Sequence, residues 1–358
     1  MKIKLLILIL PFFVSYSYSQ KSIYELGKET PIPFVEIYSE TGDLIGVTDK
    51  NGVISENLEE KINLSDTHFI TFNHPFFENK EIATIDYFKL KVLFLKPIAI
   101  ELDEVVVAKK ENLQYLKLKG YFRSVQMNEN KPHYFNDGIV NYYISLRTGK
   151  IKTKVLYNRS FEDKKLKQLS GLYHFSIVGV PLFNDLLTYK NILNKYVTSK
   201  ESDLSEIIIS DNKTKGYLNV NNDKLELQFS INSSENPKKM KLFGMESELD
   251  LYNISAIYDS TGKINFDLRN ILFFKEVRGY NLRKNKKQNF SRIDATHEFF
   301  LLEKEYVEKI EDRDFDNNYS FISPSRYDYP FWIKIDNKLF QPYPNSLYNA
   351  IQQMTEIK

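Results

Sequence analysis

The stretch PIPFVEIYSETGDLIGVTDKNGVI, residues 31–54, decides the fold class. Phe34-Val35-Glu36-Ile37-Tyr38 alternates with a period of two, the pattern of a half-buried strand. Glu40-Thr41-Gly42-Asp43 supplies a turn, and Leu44-Ile45-Gly46-Val47-Thr48 is the returning strand. Asp49-Lys50-Asn51-Gly52 is a second turn, because Asn-Gly tolerates the positive φ of tight turns. Val53 and Ile54 resume the apolar pattern. Phe69-Ile70-Thr71-Phe72 follows, and His74-Pro75-Phe76-Phe77 breaks it. From Phe88 to Leu95 the pattern alternates again, with Leu90, Val92 and Phe94 opposite Lys89, Lys91 and Leu95. Residues 98–107 hold the last strand. Short strands with turns at these intervals predict a β-sandwich over residues 20–108.

These residues also carry a resemblance. In order they are Pro33-Phe34-Val35-Glu36-Ile37, Thr48-Asp49-Lys50-Asn51-Gly52, His74-Pro75-Phe76-Phe77 and Leu102-Asp103-Glu104-Val105-Val106-Val107. Over about residues 24–108 the chain resembles the carboxypeptidase-regulatory-like domain of Bacteroidetes surface proteins. The resemblance implies a transthyretin-like sandwich. The glycine-rich start of that domain is reduced here to Leu26-Gly27-Lys28. Such domains also precede the plug of many TonB-dependent nutrient receptors, but no plug or long barrel follows here. The module is the accessory part of the enzymes it is named for, so the resemblance implies neither transport nor peptidase activity.

Residues 1–19 read as a secretory signal. Lys2 and Lys4 give the positive start, Leu5 to Val14 the apolar stretch, and Ser17 and Ser19 the small residues before a cut at Gln20. No later segment reaches the ~20 apolar residues of a membrane helix. The expectation is an exported chain, in the periplasm or associated with the outer membrane. Without Lys2 and Lys4 the 49 basic residues fall to parity with the 47 acidic ones. That balance argues against nucleic-acid binding by bulk charge. There is no cysteine, which excludes thiol chemistry, cysteine-held metal clusters and a lipid-modified cysteine. No cofactor is implied.

Residues 109–120 read as a connector, with Leu113, Tyr115 and Leu116 on a short helix that Gly120 ends. Residues 121–310 read as a larger antiparallel sheet, curved or half-closed into a barrel. The strands are 138–145 and 151–157 around Arg147-Thr148-Gly149-Lys150, then 207–209, 216–220 and 224–231. Residues 248–258 and 263–274 follow around Ser260-Thr261-Gly262, and 296–307 comes last. One helix interrupts them near 182–197: Leu182, Phe183, Leu186, Leu187, Leu193, Tyr196 and Val197 recur at threes and fours, with Asn184 and Asp185 in the first turn. Residues 311–358 form an aromatic tail, ending in a short helix capped by Ser346 with Leu347, Ala350, Ile351 and Met354 on one face. The fold class is therefore mainly β, a sandwich followed by a large antiparallel sheet with one or two helices.

Catalytic patterns are sparse. The five histidines, His68, His74, His133, His174 and His297, show no metal spacing and read as surface or satisfied core residues. His297 and Glu298 are adjacent on a strand and point to opposite faces. Asp312, Asp314 and Asp316 begin like a calcium loop, but Asn317 and Ser323 stand where glycine and glutamate are needed. Ser320 and Ser323 have no base that the sequence places beside them. Glu36 and Asp49 would serve as a glycosidase pair only if they converge in space. Arg283, Lys284, Lys286 and Lys287 form a basic hairpin tip, either solvated or in peripheral contact with a membrane or polysaccharide.

The expectation is a non-enzymatic envelope protein that binds or scaffolds. The sandwich docks, and the second sheet binds an envelope partner or an apolar or glycan ligand. Leu182, Phe183, Leu186 and Leu187 are the candidate apolar lining. Tyr329 and Trp332 are the candidate aromatic contacts, since Tyr and Trp bury area at low entropic cost and keep a polar handle. The alternatives are a periplasmic lipid or lipoprotein carrier and a glycan- or peptide-directed hydrolase with a dispersed site.

Overall fold

The computed structural model describes residues 20–98, 112–167, 176–310 (apart from 204, 222, 233–237, 243–244 and 261) and 322–358 (apart from 334). The signal read at 1–19, strand residues 99–107, His174 and the run Asp312 to Asp316 lie outside them. The fold is mainly β.

The N-terminal unit comprises β1 (Ser22–Glu25), β2 (Glu36–Ser39), β3 (Leu44–Val47), α1 (Glu56–Leu64), β4 (Phe69–His74), β5 (Phe77–Ala83), α2 (Thr84–Tyr87) and β6 (Val92–Leu95). A four-stranded sheet in the order β3-β2-β4-β5 and the parallel pair β1-β6 enclose one core with α1. Ile23, Val35, Ile37, Leu58, Ile62, Phe72, Tyr87, Leu93 and Leu95 fill it. This is the expected sandwich with a smaller second layer. α1 departs from the expectation. Its signals are local: Ser55 caps the Leu58 N–H, Glu56 and Glu59 sit in the first turn, and Leu58 and Ile62 face the core. The phase of the 88–95 stretch is also opposite to the expectation, since Leu93 and Leu95 are buried while Leu90, Val92 and Phe94 are exposed. VLFL is apolar on both faces, so alternation alone does not choose its inward side.

The second part comprises β7 (Tyr115–Asn128), β8 (Lys131–Ser145), β9 (Ile151–Glu162), α3 (Lys164–Lys167), α4 (Tyr189–Lys195), β10 (Val197–Ser202), β11 (Ser205–Ser210), β12 (Lys213–Asn221), β13 (Lys224–Asn232), β14 (Lys238–Leu242), β15 (Met245–Asp259), β16 (Ile271–Arg283), β17 (Ser291–Val307), α5 (Asn345–Gln352) and β18 (Thr355–Glu356). They build a 12-stranded sheet in the order β10-β11-β12-β13-β15-β16-β17-β7-β8-β9-β18, with β14 paired to β15. The connector helix is not formed, because residues 115–120 already belong to β7. Gly120 sits in mid-strand, where a Cβ would lie 2.1 Å from the Phe299 ring. Residues 263–270 are not strand either. They loop over the sheet, and Phe266 drops into the core.

The sheet has two covered faces. One, the helix face, carries Leu118, Phe122, Tyr142, Leu227, Ile254, Phe274 and Phe299. Residues 176–196 pack on it through Val180, Leu186, Leu187 and Ile192. The helix expected at 182–197 is shorter, a 3-10 turn at Asp185–Leu187 followed by α4, and Val197 opens β10. Asn184 caps the turn by accepting from the Leu186 N–H. The other, the tail face, is covered by the N-terminal unit and by the C-terminal segment. There Phe331 and Leu339 join Tyr121, Ile139, Phe273 and Phe300, while Leu347 and Ile351 of α5 pack on Val125, Met127 and Phe135. Ser346 does not cap α5, whose first residue follows Pro344 without a side-chain cap.

The N-terminal unit meets the tail face through polar groups. In β2, Ile37 faces its own core while Glu36 and Tyr38 face the sheet, so all four strand residues are buried. Glu36 accepts from Lys275 at 2.6 Å and from Asn253 at 2.7 Å, and Lys275 also donates to Asn73 at 2.8 Å. His74 Nε2 lies 2.9 Å from Glu226. Phe34, held at φ 52°, stacks on Tyr217. The tail adds Gln341, whose side chain accepts from the Asn79 N–H and donates to the Phe77 carbonyl.

Removing one partner of a buried, hydrogen-bonded ion pair leaves the other charge unpaired, at about 3–5 kcal/mol. Glu36→Gln and Lys275→Met are each expected to cost about that much in urea unfolding, and the double variant less than their sum. Additive costs would show that the two groups do not depend on each other.

Candidate functional site

The tail face carries a row of charges in register across five neighbouring strands. Lys275 of β16 lies opposite Glu298 of β17, Glu298 opposite Arg123 of β7, Arg123 opposite Asp137 of β8, and Asp137 opposite Arg159 of β9. Glu36 completes it from the N-terminal unit, so three cations meet three carboxylates. Arg123 donates to Glu298 at 2.5 Å, and Arg159 grips Asp137 with two bonds of 2.9 and 2.6 Å. Tyr121 donates to Asp137 at 3.0 Å. Opposite charges directly across antiparallel strands attract, and burial strengthens the attraction.

Burial disfavours the charge on Arg123, but the carboxylate of Glu298 and the neighbouring Tyr343 outweigh it and hold the guanidinium charged. Burial likewise opposes ionisation of Glu298, yet Arg123 and Lys275 bring it below the usual carboxylate range. Asp137 is pushed up by burial, and the bonds and charge of Arg159 offset only part of that.

At the Arg159 end the ladder opens into a hollow of about 320 Å³. Arg123, Asp137 and Arg159 line it with Trp332, Tyr343 and Tyr348. Both guanidinium planes lie on aromatic rings. Arg159 is 3.7 Å from the centre of the Trp332 ring, and Arg123 is 3.9 Å from that of Tyr343. Such stacking holds a guanidinium without using its hydrogen-bond donors. A guanidinium has about five N–H donors, and these carboxylates take one from Arg123 and two from Arg159. Donor capacity therefore remains in the hollow's wall.

Of the six residues expected to bind a ligand, only Trp332 lines this hollow. Tyr329 is 51% exposed, with its ring against Tyr157. Leu186 and Leu187 are buried core on the helix face, and Phe183 packs there on Tyr142, Phe274 and Phe299. Leu182 is 51% exposed. The sheet separates the leucine group from the aromatic group, so the two do not form one site. Arg123, Asp137 and Arg159 line the hollow beside Trp332, though no motif singles them out in the sequence. The two arginines each stand alone in a strand segment that contains aromatic residues, YFRSV (121–125) and YNRSF (157–161), while Asp137 stands between Asn136 and Gly138.

Two other arrangements have chemical potential. In the neighbouring row on the helix face, Glu276, His297 and Ser124 lie side by side, with Ser124 Oγ 3.0 Å from His297 Nδ1. Burial holds the imidazole below its ordinary range. Ser124 is fully buried and takes the Gly179 N–H at 3.4 Å, so its hydroxyl is a packed polar group beneath residues 176–180. His297 and Glu298 do point to opposite faces. Glu36 and Asp49 do not converge: Glu36 is committed to Lys275, and Asp49 accepts from the Asn51 and Val53 N–H groups in its own turn.

The second arrangement is a cleft of about 480 Å³ between the N-terminal unit and the sheet, where Asp43, Asp250 and Asp294 face Arg292. Arg292 pairs with Asp250 and Asp294 at 2.5 and 2.6 Å. Thr41 and Ser39 donate to Asp43. Among the described residues no three His, Asp or Glu side chains are grouped to hold a metal ion.

No family model matches the chain, and no curated protein matches it. A solved structure described as lipid–protein interactions in lipovitellin is similar over 57% of this chain and 27% of that chain, at 10% identity and a TM-score of 0.24. The chain thus spans about a quarter of the length of the chain it is compared with.

Burial raises the Asp43 carboxyl from 3.8 to about 6, helped by Asp294 and opposed by Thr41, Ser39 and Arg292. Its folded pKa exceeds its unfolded one, so the folded state holds the proton more tightly. That contribution is complete below the unfolded value and is lost as pH rises through about 6. Asp43→Asn is expected to flatten the stability profile between those limits, measured by urea unfolding at stepped pH. An unchanged slope would contradict the assignment.

Proposed function

We propose that the protein is a non-enzymatic binding protein of the cell envelope, and that the hollow at the end of the charge ladder receives its ligand. The observation that carries this is the pair of ring-stacked guanidiniums, Arg123 and Arg159, held over Trp332 and Tyr343 beside the buried Asp137. The ladder's own carboxylates leave N–H donors of Arg123 and Arg159 uncommitted. These spare donors favour a ligand with oxygen acceptors, and Phe135, Phe161, Phe340 and Ile351 favour one with an apolar body. The reading is of an amphipathic ligand or partner segment, such as an acyl carboxylate or the C-terminus of an apolar peptide. The volume is at the lower end of small-molecule sites, which run from about 300 to 1,000 Å³. The envelope location rests on the leader-like residues 1–19. The N-terminal unit, fixed to the sheet by Glu36 and His74, acts as a scaffold in this reading.

Trp332 is the only tryptophan in the chain, so its emission reports on the hollow. Titration with decanoate, with a short peptide ending in Leu-Phe and with chitotriose is expected to give a saturable change for one or both of the first two. Arg159→Ala is expected to weaken that binding by about 1.5–3 kcal/mol, the range for a hydrogen bond to a charged group. No saturable change with any of the three would overturn the reading. A change with chitotriose alone would replace the amphipathic ligand by a glycan.

A further inference from the structure

The basic run Arg283-Lys284-Asn285-Lys286-Lys287 takes no part in the hollow. It forms the tip between β16 and β17, and residues 284–289 are exposed. The structure sets a second basic hairpin beside it. β14 pairs with β15, which pairs with β16, so Lys241 lies opposite Glu246 and Glu246 opposite Arg283. Lys238, Lys239 and Lys241 of β14 are exposed. Arg283, Lys286 and Lys241 all act on Glu246, whose carboxyl they hold below its ordinary range, so the two hairpins bring their charge to one place. Among the described residues at this end of β14, β15 and the β16–β17 tip, Lys238, Lys239, Lys241, Arg283, Lys284, Lys286 and Lys287 stand near Glu246, Glu248 and Asp250, and Asp250 is already paired with Arg292. In the whole chain, by contrast, 49 basic residues meet 47 acidic ones. Apolar side chains flank the cations: half-buried Phe290 lies under Arg283 at 4.4 Å, and half-buried Met240 and Met245 share the other face of the β14–β15 hairpin with Lys238.

We propose that the cations of strand β14 and of the β16–β17 tip together dock the protein on an anionic lipid surface. Lysines attract a negatively charged leaflet through its surface potential, and interspersed apolar groups reach the boundary between headgroups and acyl chains. A soluble polyanion would use the lysines but gain nothing from Met240, Met245 and Phe290. No described helix is long and apolar enough to cross a membrane, which suits contact from the surface. The inference is independent of the hollow, because neither hairpin lines it.

The test is co-sedimentation of the mature chain with vesicles of phosphatidylcholine alone and of phosphatidylcholine with about 30% phosphatidylglycerol, at two salt concentrations. Two variants are compared, one with Lys238, Lys239 and Lys241 changed to Gln and one with Lys284, Lys286 and Lys287 changed to Gln. Trp332 emission and melting temperature serve as controls for folding. The expected result is salt-sensitive binding to the anionic vesicles only, weakened about ten-fold or more in each variant. Equal binding to neutral vesicles, or binding that neither variant weakens, would overturn the proposal. So would binding to heparin without binding to vesicles, which would assign the patch to a polysaccharide.

Discussion

A charge in the middle of a sheet has to find its counter-charge on the next strand, and here that requirement runs across five strands. Lys275, Glu298, Arg123, Asp137 and Arg159 alternate in sign along one register line. All are buried or nearly so, and a buried charge left without a partner is among the most destabilising features a fold can contain. The ladder therefore demands covers that are polar where they touch it. The N-terminal unit supplies Glu36 and Asn73 at one end, and the C-terminal segment supplies stacked aromatic rings at the other. The three parts are not strung loosely in sequence. They close over the same face of the sheet.

The two faces consequently have different chemistry. The helix face is filled with leucine, isoleucine and phenylalanine against residues 176–196, and its polar groups are turned to hydrogen bonds within the packing. The tail face keeps its charges, and where the tail arches over Arg159 the covering leaves a hollow. That asymmetry is why the hollow lies under the aromatic tail rather than behind the leucines of 182–187. On the helix face Glu276, His297 and Ser124 stand side by side, with the Ser124 hydroxyl buried and accepting from the Gly179 N–H.

Much of this architecture is written in local pattern. Alternation marks most strands of both parts, and Gly149 and Asp223 mark hairpins because both turns need a positive φ, 69° and 59°. Local pattern misled where a run was apolar on both faces, as in Val92 to Leu95, and where residues 263–270 alternate without pairing. The helix at 56–64 had a capping serine and an i,i+4 apolar pair, but so short a stripe is hidden among strand signals. The ladder is a different matter. Its members stand at 36, 123, 137, 159, 275 and 298, and only the strand order and register bring them together. No sequence period connects them. Trp332 was legible as an unusual aromatic, whereas its partner Arg159 looked like any strand charge.

The sheet's buried charges bind the N-terminal unit, the sheet and the tail into one folding unit. Differential scanning calorimetry of residues 20–358 tests it most directly, because a two-state transition has equal calorimetric and van't Hoff enthalpies. One transition is expected, with the two enthalpies in agreement. Two resolved transitions, with the N-terminal unit melting apart from the sheet, would contradict it.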